Sequence, residues 1–169
     1  SGLYLLTKQR SIDRGCRCLL ATSTRGPEAL CDVVSLCTQS AFHKSYTVDD
    51  VERCILPPLH LGQSKFLYHK GTAGEVVVIG FASWAFLTPI VAQGFVDGTR
   101  KLRRFDWSDG DELWLIDVIA PLGWVRWFCR RLRKHWAETY PEFPVVNYLR
   151  SHDRHKRRTL SSAVETADV

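Results

Sequence analysis

Two widely separated segments hold the residues whose types and spacing suit acid–base chemistry: Ser40-Ala41-Phe42-His43, and Leu113-Trp114-Leu115-Ile116-Asp117-Val118-Ile119-Ala120-Pro121. The second reads as a strand. Period-two alternation puts Leu113, Leu115, Asp117 and Ile119 on one face, so a carboxylate stands where an apolar side chain is expected. Burying an unpaired ionised Asp costs several kcal/mol or forces its neutralisation, so Asp117 requires a partner. His43 is a candidate, because a carboxylate orients an imidazole and keeps it basic; an arginine is the alternative. If the two meet in the fold, they form the base and orienter of an acyl-transfer site. Ser40 stands at i−3 from His43. It suits a hydrogen bond to the helix backbone, support of His43, or transient acyl acceptance, and the supporting role is favoured.

The remaining reactive residue types give weaker patterns. Six cysteines, at 16, 18, 31, 37, 54 and 129, show no regular spacing, and Cys16-Arg17-Cys18 lacks the C-x₂₋₄-C pairing of structural zinc sites, so free thiols packed as small hydrophobes are expected. A Cys-His-Asp hydrolase using Cys37 or Cys54 is an alternative, though neither lies in a nucleophile motif. His60, His69, His135, His152 and His155 form no ligand constellation. Asp106-Trp107-Ser108-Asp109-Gly110-Asp111 does not match an EF-hand loop and reads as an Asp-Gly hairpin turn. No metal site is expected.

The elements that must position these residues follow from periodicity. Ser1 to Glu28 has no clear period, and Ser23-Thr24-Arg25-Gly26-Pro27 reads as a loop. Leu30, Val33, Val34 and Cys37 recur at helical spacing, and the same helix continued would place Ser40 and His43 one turn apart on one face. Thr47 with Asp50 three positions on opens a second helix through about Ile55, ended by Pro57-Pro58. Ser64 to His69 and Glu75 to Phe86 read as strands around the turn Gly71-Thr72-Ala73-Gly74, with another strand near Gly94-Phe95-Val96. After the strand bearing Asp117, Pro121-Leu122-Gly123 breaks the chain into a helix over Trp124 to Thr139. Its apolar stripe is Val125, Phe128, Cys129, Leu132 and Trp136. Val145 to Leu149 reads as the last strand. A mixed sheet with flanking helices is an α/β or α+β arrangement.

The chain has 169 residues, 45% of them hydrophobic, which suits one domain over 1–150 followed by a basic, weakly ordered tail over 151–169. It contains no apolar run of membrane-spanning length and no convincing signal peptide, so a cytoplasmic location is the default expectation. The formal charge of +5 is concentrated at Arg100 to Arg104, Arg130 to Lys134 and Arg154 to Arg158. Such clusters are solvated faces or contacts for an acidic partner.

The ordered set Ser40-x-x-His43, Ile55-Leu56-Pro57, Leu61-Gly62-Gln63, Ala82-Ser83-Trp84-Ala85, Ser108-Asp109-Gly110-Asp111 and Leu115 to Gly123 resembles the toxin-activating lysine acyltransferases of the hemolysin-activating type. The match runs from about Asp32 to about Arg150. Departures include Tyr46 and Thr47, where the family has a Trp-Pro pair, together with Ala82 for Cys and Val118 for Trp; they mark a divergent member. The resemblance implies a GNAT-like fold in which a pantetheine arm enters between splayed central strands. It also implies transfer of a fatty acyl group from acyl carrier protein to internal lysines of an RTX protoxin. On that basis His43 is the base, Asp117 its orienter and Ser40 a support, while Gln63, Ser83, Trp84 and Gly123 are substrate or acyl contacts. Arg126, Arg130, Arg133 and Lys134 form the carrier-docking face. No tightly bound cofactor is expected; the donor is the acyl-4′-phosphopantetheine of the carrier. The resemblance further implies a homodimer, and the six tryptophans offer apolar surface for one.

Two rival readings keep different parts of this pattern. A silent nucleic-acid module would use the arginine-rich helix and tail, but no standard motif is present, so no nucleic-acid partner is expected. A small-molecule acyltransferase using acyl-coenzyme A would keep the site and change the donor, although a glycine-rich phosphate loop is missing.

Overall fold

The computed structural model describes residues 17–21, 26–121, 123–150 and 153–161. It is a six-stranded mixed sheet flanked by helices, compatible with the expected GNAT-like α/β fold. The strands β1 (Arg17–Ala21), β2 (Ser64–Lys70), β3 (Val76–Leu87), β4 (Glu112–Ile119), β5 (Val145–Arg150) and β6 (Asp153–Ser161) lie in sequence order across the sheet. All neighbours are antiparallel except β4 and β5, which are parallel. That pair is joined by the crossover helix α5 (Val125–Thr139), as a parallel connection demands.

Side-chain alternation divides the core between two faces. Ala82 and Trp84 of β3 pack with Leu113 and Leu115 of β4 against Phe128, Leu132 and Trp136 of α5. On the opposite face, Phe81 and Ile119 pack against Ala29, Val33 and Leu36 of α1 (Gly26–Gln39). Ala85, Leu87 and Trp114 continue that face beneath α4 (Pro89–Val96).

Strict alternation along β4 does not hold. Ser83 pairs with Asp117 but Trp84 pairs with Leu115, leaving Ile116 as an extra residue in a β-bulge. A bulge turns two consecutive side chains toward the same side. Leu113 and Leu115 therefore face α5 with Val118, whereas Trp114, Ile116 and Ile119 serve the other face. The expectation that Leu113, Leu115, Asp117 and Ile119 share one face is corrected by this one residue. The pairing of β4 with β5 also stops at Leu115 and Tyr148, so the two strands part where the bulge begins.

Several boundaries differ from the sequence reading. α1 ends at Gln39, and His43 lies beyond it in a 3₁₀ turn, His43–Ser45. Thr47 is the N-cap of α2 (Val48–Asp50) in a full capping box with Asp50. Pro57-Pro58 does not end the helix: a π-helical stretch, Val51–Ile55, widens the turn and α3 (Leu56–Leu61) continues to a left-handed Gly62, φ 69°. The wider turn accommodates two prolines that lack an N–H and would crowd the preceding carbonyls. Gly94-Phe95-Val96 belongs to α4, started by Thr88 as N-cap and Pro89, rather than to a strand. β1 escaped notice because it is a short edge strand with Leu19 exposed. Gly26-Pro27 opens α1 rather than extending a loop, while 23–25, Cys16 and His152 lie outside the described residues. The weakly ordered tail is corrected for Asp153–Ser161, which pairs with β5. Trp84, Trp107, Trp114 and Trp136 are fully buried, so they offer no surface for self-association.

Gly110 is not a hairpin turn. The connection from β3 to β4 runs through α4 and the 3₁₀ helix Arg104–Trp107, and Gly110 N–H donates to Phe86 O at 3.0 Å. A Cβ there would stand 1.8 Å from the Leu87 carbonyl carbon. Because the obstacle is backbone, Gly110→Ala is expected to destabilise the fold by about 3 kcal/mol or more. Urea unfolding measures this, and an unchanged midpoint would contradict the close approach.

Candidate active site

The chain between α1 and α2 is a compact turn that presents Ser40, His43 and Tyr46 at three-residue spacing. Three residues per turn is the 3₁₀ repeat, which aligns side chains at i and i+3. Ser40 N–H donates to Cys37 O at 3.1 Å and Tyr46 N–H to His43 O at 3.0 Å, tightening the turn at both ends. Across from it, the β4 bulge aims Asp117.

The two expected residues meet. His43 Nε2 donates to Asp117 Oδ1 at 2.9 Å, and both side chains are largely withdrawn from water, at 7% and 12% exposure. Tyr46 Oη donates to the other carboxylate oxygen, Oδ2, at 2.9 Å. Ser40 Oγ stands 2.6 Å from His43 Nδ1. With Nε2–H committed to the carboxylate, the neutral ring presents the Nδ1 lone pair to the serine hydroxyl. The set is a serine, an imidazole and a carboxylate in line, so Nδ1 is the nitrogen free to take a proton. The His43 ring packs edge-on against Phe42 and Tyr46, both at 5.0 Å between centroids.

Tyr46 is the member that sequence reasoning missed. Its signal was the extension of Ser40-x-x-His43 by one more step of three. Burial and the Asp117 charge raise its phenol well above the ordinary tyrosine range, so it stays a donor throughout the working pH range.

The other expected residues divide. Ser83 is directly opposite Asp117 in the β3–β4 register, fully buried, and its Oγ has no hydrogen-bond partner among the described residues. Gln63 is also buried, with Oε1 unpartnered among the described residues, and its backbone carbonyl accepts from Trp84 N–H at 3.0 Å. Trp84 is not brought to His43: it packs on the α5 face against Trp136 and His135. His135 is pushed down to about 4, chiefly by burial, and is neutral at physiological pH. Gly123 takes a left-handed conformation, φ 85°, between β4 and α5. Arg126, Arg130 and Lys134 are exposed on α5, whereas Arg133 is half-buried and donates to Ser161 O at 2.9 Å. Among the described residues, no cluster of three or more His, Cys, Asp or Glu could hold a metal ion. Among the same residues, no helix is long and apolar enough to cross a membrane.

A profile of the RTX toxin acyltransferase family matches residues 23–163, an interval that contains every residue of this cluster. The chain belongs to that family. Among its relatives, the lysine-acyltransferase RtxC of Vibrio cholerae serotype O1 is 30% identical over 102 residues, covering 60% of this chain and 64% of RtxC. The RTX-II toxin-activating lysine-acyltransferase ApxIIC of Actinobacillus pleuropneumoniae is 30% identical over 106 residues, 63% of this chain and 61% of the relative. The protein-lysine palmitoyltransferase CyaC of Bordetella bronchiseptica is 32% identical over 114 residues, 68% of this chain and 58% of CyaC. The chain thus spans somewhat less than two thirds of these relatives' lengths.

The surroundings of Cys37 and Cys54 do not suit a nucleophilic thiol. Burial, with the Asp117 charge adding to it, raises both the Cys37 and Cys54 thiols to about 11. Both are therefore protonated at neutral pH, which opposes the hydrolase alternative. Thiolate forms only as pH approaches 11, so alkylation of Cys37 and Cys54 at pH 8 is expected to lag that of exposed Cys31 by more than about tenfold. Peptide mass spectrometry after timed iodoacetamide treatment measures this; equal rates would contradict the assignment.

Proposed function

We propose that this protein is a protein-lysine acyltransferase that moves a fatty acyl group from acyl carrier protein to internal lysine ε-amino groups of an RTX-type protoxin. The observation that carries the reading is the part-buried Ser40–His43–Asp117 line, in a chain whose family is named for toxin acylation.

The acceptor is a lysine, whose ammonium, with an ordinary pKa of about 10.4, has no lone pair to attack with at neutral pH. His43 Nδ1 is the base. Ser40 Oγ covers it, so the amine proton reaches the ring by way of the hydroxyl, which hands its own proton to Nδ1 as it accepts the other. The freed nitrogen attacks the thioester carbonyl, and Asp117 stabilises the imidazolium that results. Collapse of the tetrahedral intermediate breaks the C–S bond; the departing phosphopantetheine thiolate takes the proton from His43, and the second proton of the former ammonium is released from the nitrogen to water. Amide and thiol are the products, and the base is restored. Gln63 and Ser83 contribute polar atoms for placing the substrate; the left-handed Gly123 lets the chain turn into α5 beside the parting strands. Arg126, Arg130 and Lys134 form an exposed basic face suited to the acidic carrier.

The 2.6 Å contact between Ser40 and His43 also favours a second reading, in which Ser40 Oγ takes the acyl group first and passes it to lysine. Intact mass after mixing with acyl-carrier protein in the absence of acceptor distinguishes the routes: an added acyl mass on Ser40 supports the relay through an ester, its absence the direct transfer.

Incubation with acyl-loaded carrier protein and a protoxin acceptor, followed by mass mapping of modified lysines, tests the function. Wild type is expected to acylate lysine, His43→Ala to abolish transfer while folding normally, and Asp117→Asn to lower the rate by roughly 10⁴-fold. Wild-type turnover in folded His43→Ala would refute the base assignment. Reversing Arg130 and Lys134 to Glu is expected to raise the carrier concentration needed for half-saturation without lowering stability. Identical saturation curves would remove α5 from the docking surface.

A further inference from the structure

The carboxylate of Asp117 has two oxygens and two side-chain donors: His43 Nε2 on Oδ1 and Tyr46 Oη on Oδ2, each at 2.9 Å. A carboxylate that accepts a second hydrogen bond shares its charge, and what it gives to the phenol it withholds from the imidazole. Tyr46 is placed for this by the same turn that carries His43. Its backbone bonds to His43 O, its ring lies edge-on to the imidazole at 5.0 Å, and the residue after it is the N-cap that fixes α2. The distance between donor and base is thus set by local structure.

We infer that Tyr46 is a positioning residue that sets the proton affinity of His43 by holding the outer oxygen of Asp117. The inference rests on the base role proposed for His43 and adds a named control over it. The groups around the carboxylate leave that control to the phenol. Cys37 faces Asp117 from α1 and Cys54 from the π-helical stretch, and both thiols, raised to about 11, are uncharged at neutral pH. From β3, the residue opposite Asp117 is Ser83, which does not ionise in this range. Arg53, next to Cys54, is engaged by Asp49 and Asp50 at 2.9 and 2.7 Å. Charge reaching His43 therefore comes from Asp117, and Tyr46 is the donor that moderates it.

The sign follows directly. Removing the phenol hydroxyl leaves more negative charge on the carboxylate, which favours the imidazolium, so the His43 pKa rises. At a given pH less neutral imidazole is then available, and the acid limb of the rate profile moves toward alkaline pH.

Tyr46→Phe retains the ring that packs on His43 and removes one oxygen. The His43 ring is titrated by NMR, following its ¹³Cε1–H signal, in wild type, Tyr46→Phe, Asp117→Asn and the double variant. The midpoint is expected to rise by about half a unit to one unit in Tyr46→Phe. In the Asp117→Asn background the same substitution is expected to leave it unchanged, because the shared charge is gone. An unchanged midpoint in folded Tyr46→Phe, or an equal rise in both backgrounds, would overturn the inference. The acylation assay is run on the same proteins across pH. If wild type transfers no acyl group while the midpoint still moves, the proposed activity fails and the coupling of Tyr46 to His43 stands. If transfer occurs and neither midpoint nor acid limb moves, the coupling fails and the activity stands.

Discussion

The structure turns on one largely buried carboxylate. Asp117 is 12% exposed, and leaving its charge without partners there would cost several kcal/mol. It is instead met by two donors from a single turn, His43 and Tyr46, contributed by a part of the chain far away in sequence. That requirement ties the α1–α2 connection to the middle of the sheet. It also fixes the imidazole: with Nε2 held by the carboxylate, Nδ1 points to Ser40, and the chemistry of the site is decided by which nitrogen remains.

The sheet delivers Asp117 to this place through an irregularity. Were alternation to run unbroken through Ile116, with no bulge, Asp117 would follow Leu113 and Leu115 toward α5, into a cluster of Trp84, Trp136 and Phe128 that offers a carboxylate little. The bulge changes the phase of β4, and it begins where β4 and β5 cease to pair. Parting of parallel strands opens room along the last residues of β4; the bulge turns the carboxylate toward α1 at the same step. In the proposed reaction the gap is the substrate's approach, and His43 and Asp117, as base and orienter, stand on the α1 side of the sheet.

The sequence made the helix α5, the strands β2 to β5 and the meeting of His43 with Asp117 legible, because each rests on a regular period or on the cost of a buried charge. It did not reveal the bulge, since a one-residue insertion leaves no mark in a run that is apolar on both faces. The reading reached the right partner for Asp117 from a face assignment that was wrong beyond Leu115. The helix through Pro57-Pro58 was hidden because proline normally stops a helix, and a π-helical turn is a tertiary accommodation. β6 was hidden by its charge: Arg157, Arg158 and their neighbours look like a solvated tail until β5 supplies a pairing edge. Trp84 looked like a site residue because it adjoins Ser83, yet adjacent positions on a strand face opposite ways. Tyr46 was overlooked because the further step of three that extends Ser40-x-x-His43 acquires a chemical meaning only once Asp117 joins the two rings.

The central claim is that Asp117 acts through His43 and has no separate part in catalysis. Single-turnover acyl transfer by wild type, Asp117→Asn, His43→Ala and the double variant tests it most directly, since residues that act as a unit lose their effect together. The account predicts that Asp117→Asn slows the wild type by orders of magnitude and changes nothing further once His43 is alanine. A double variant slower than His43→Ala by the full Asp117→Asn factor would contradict it.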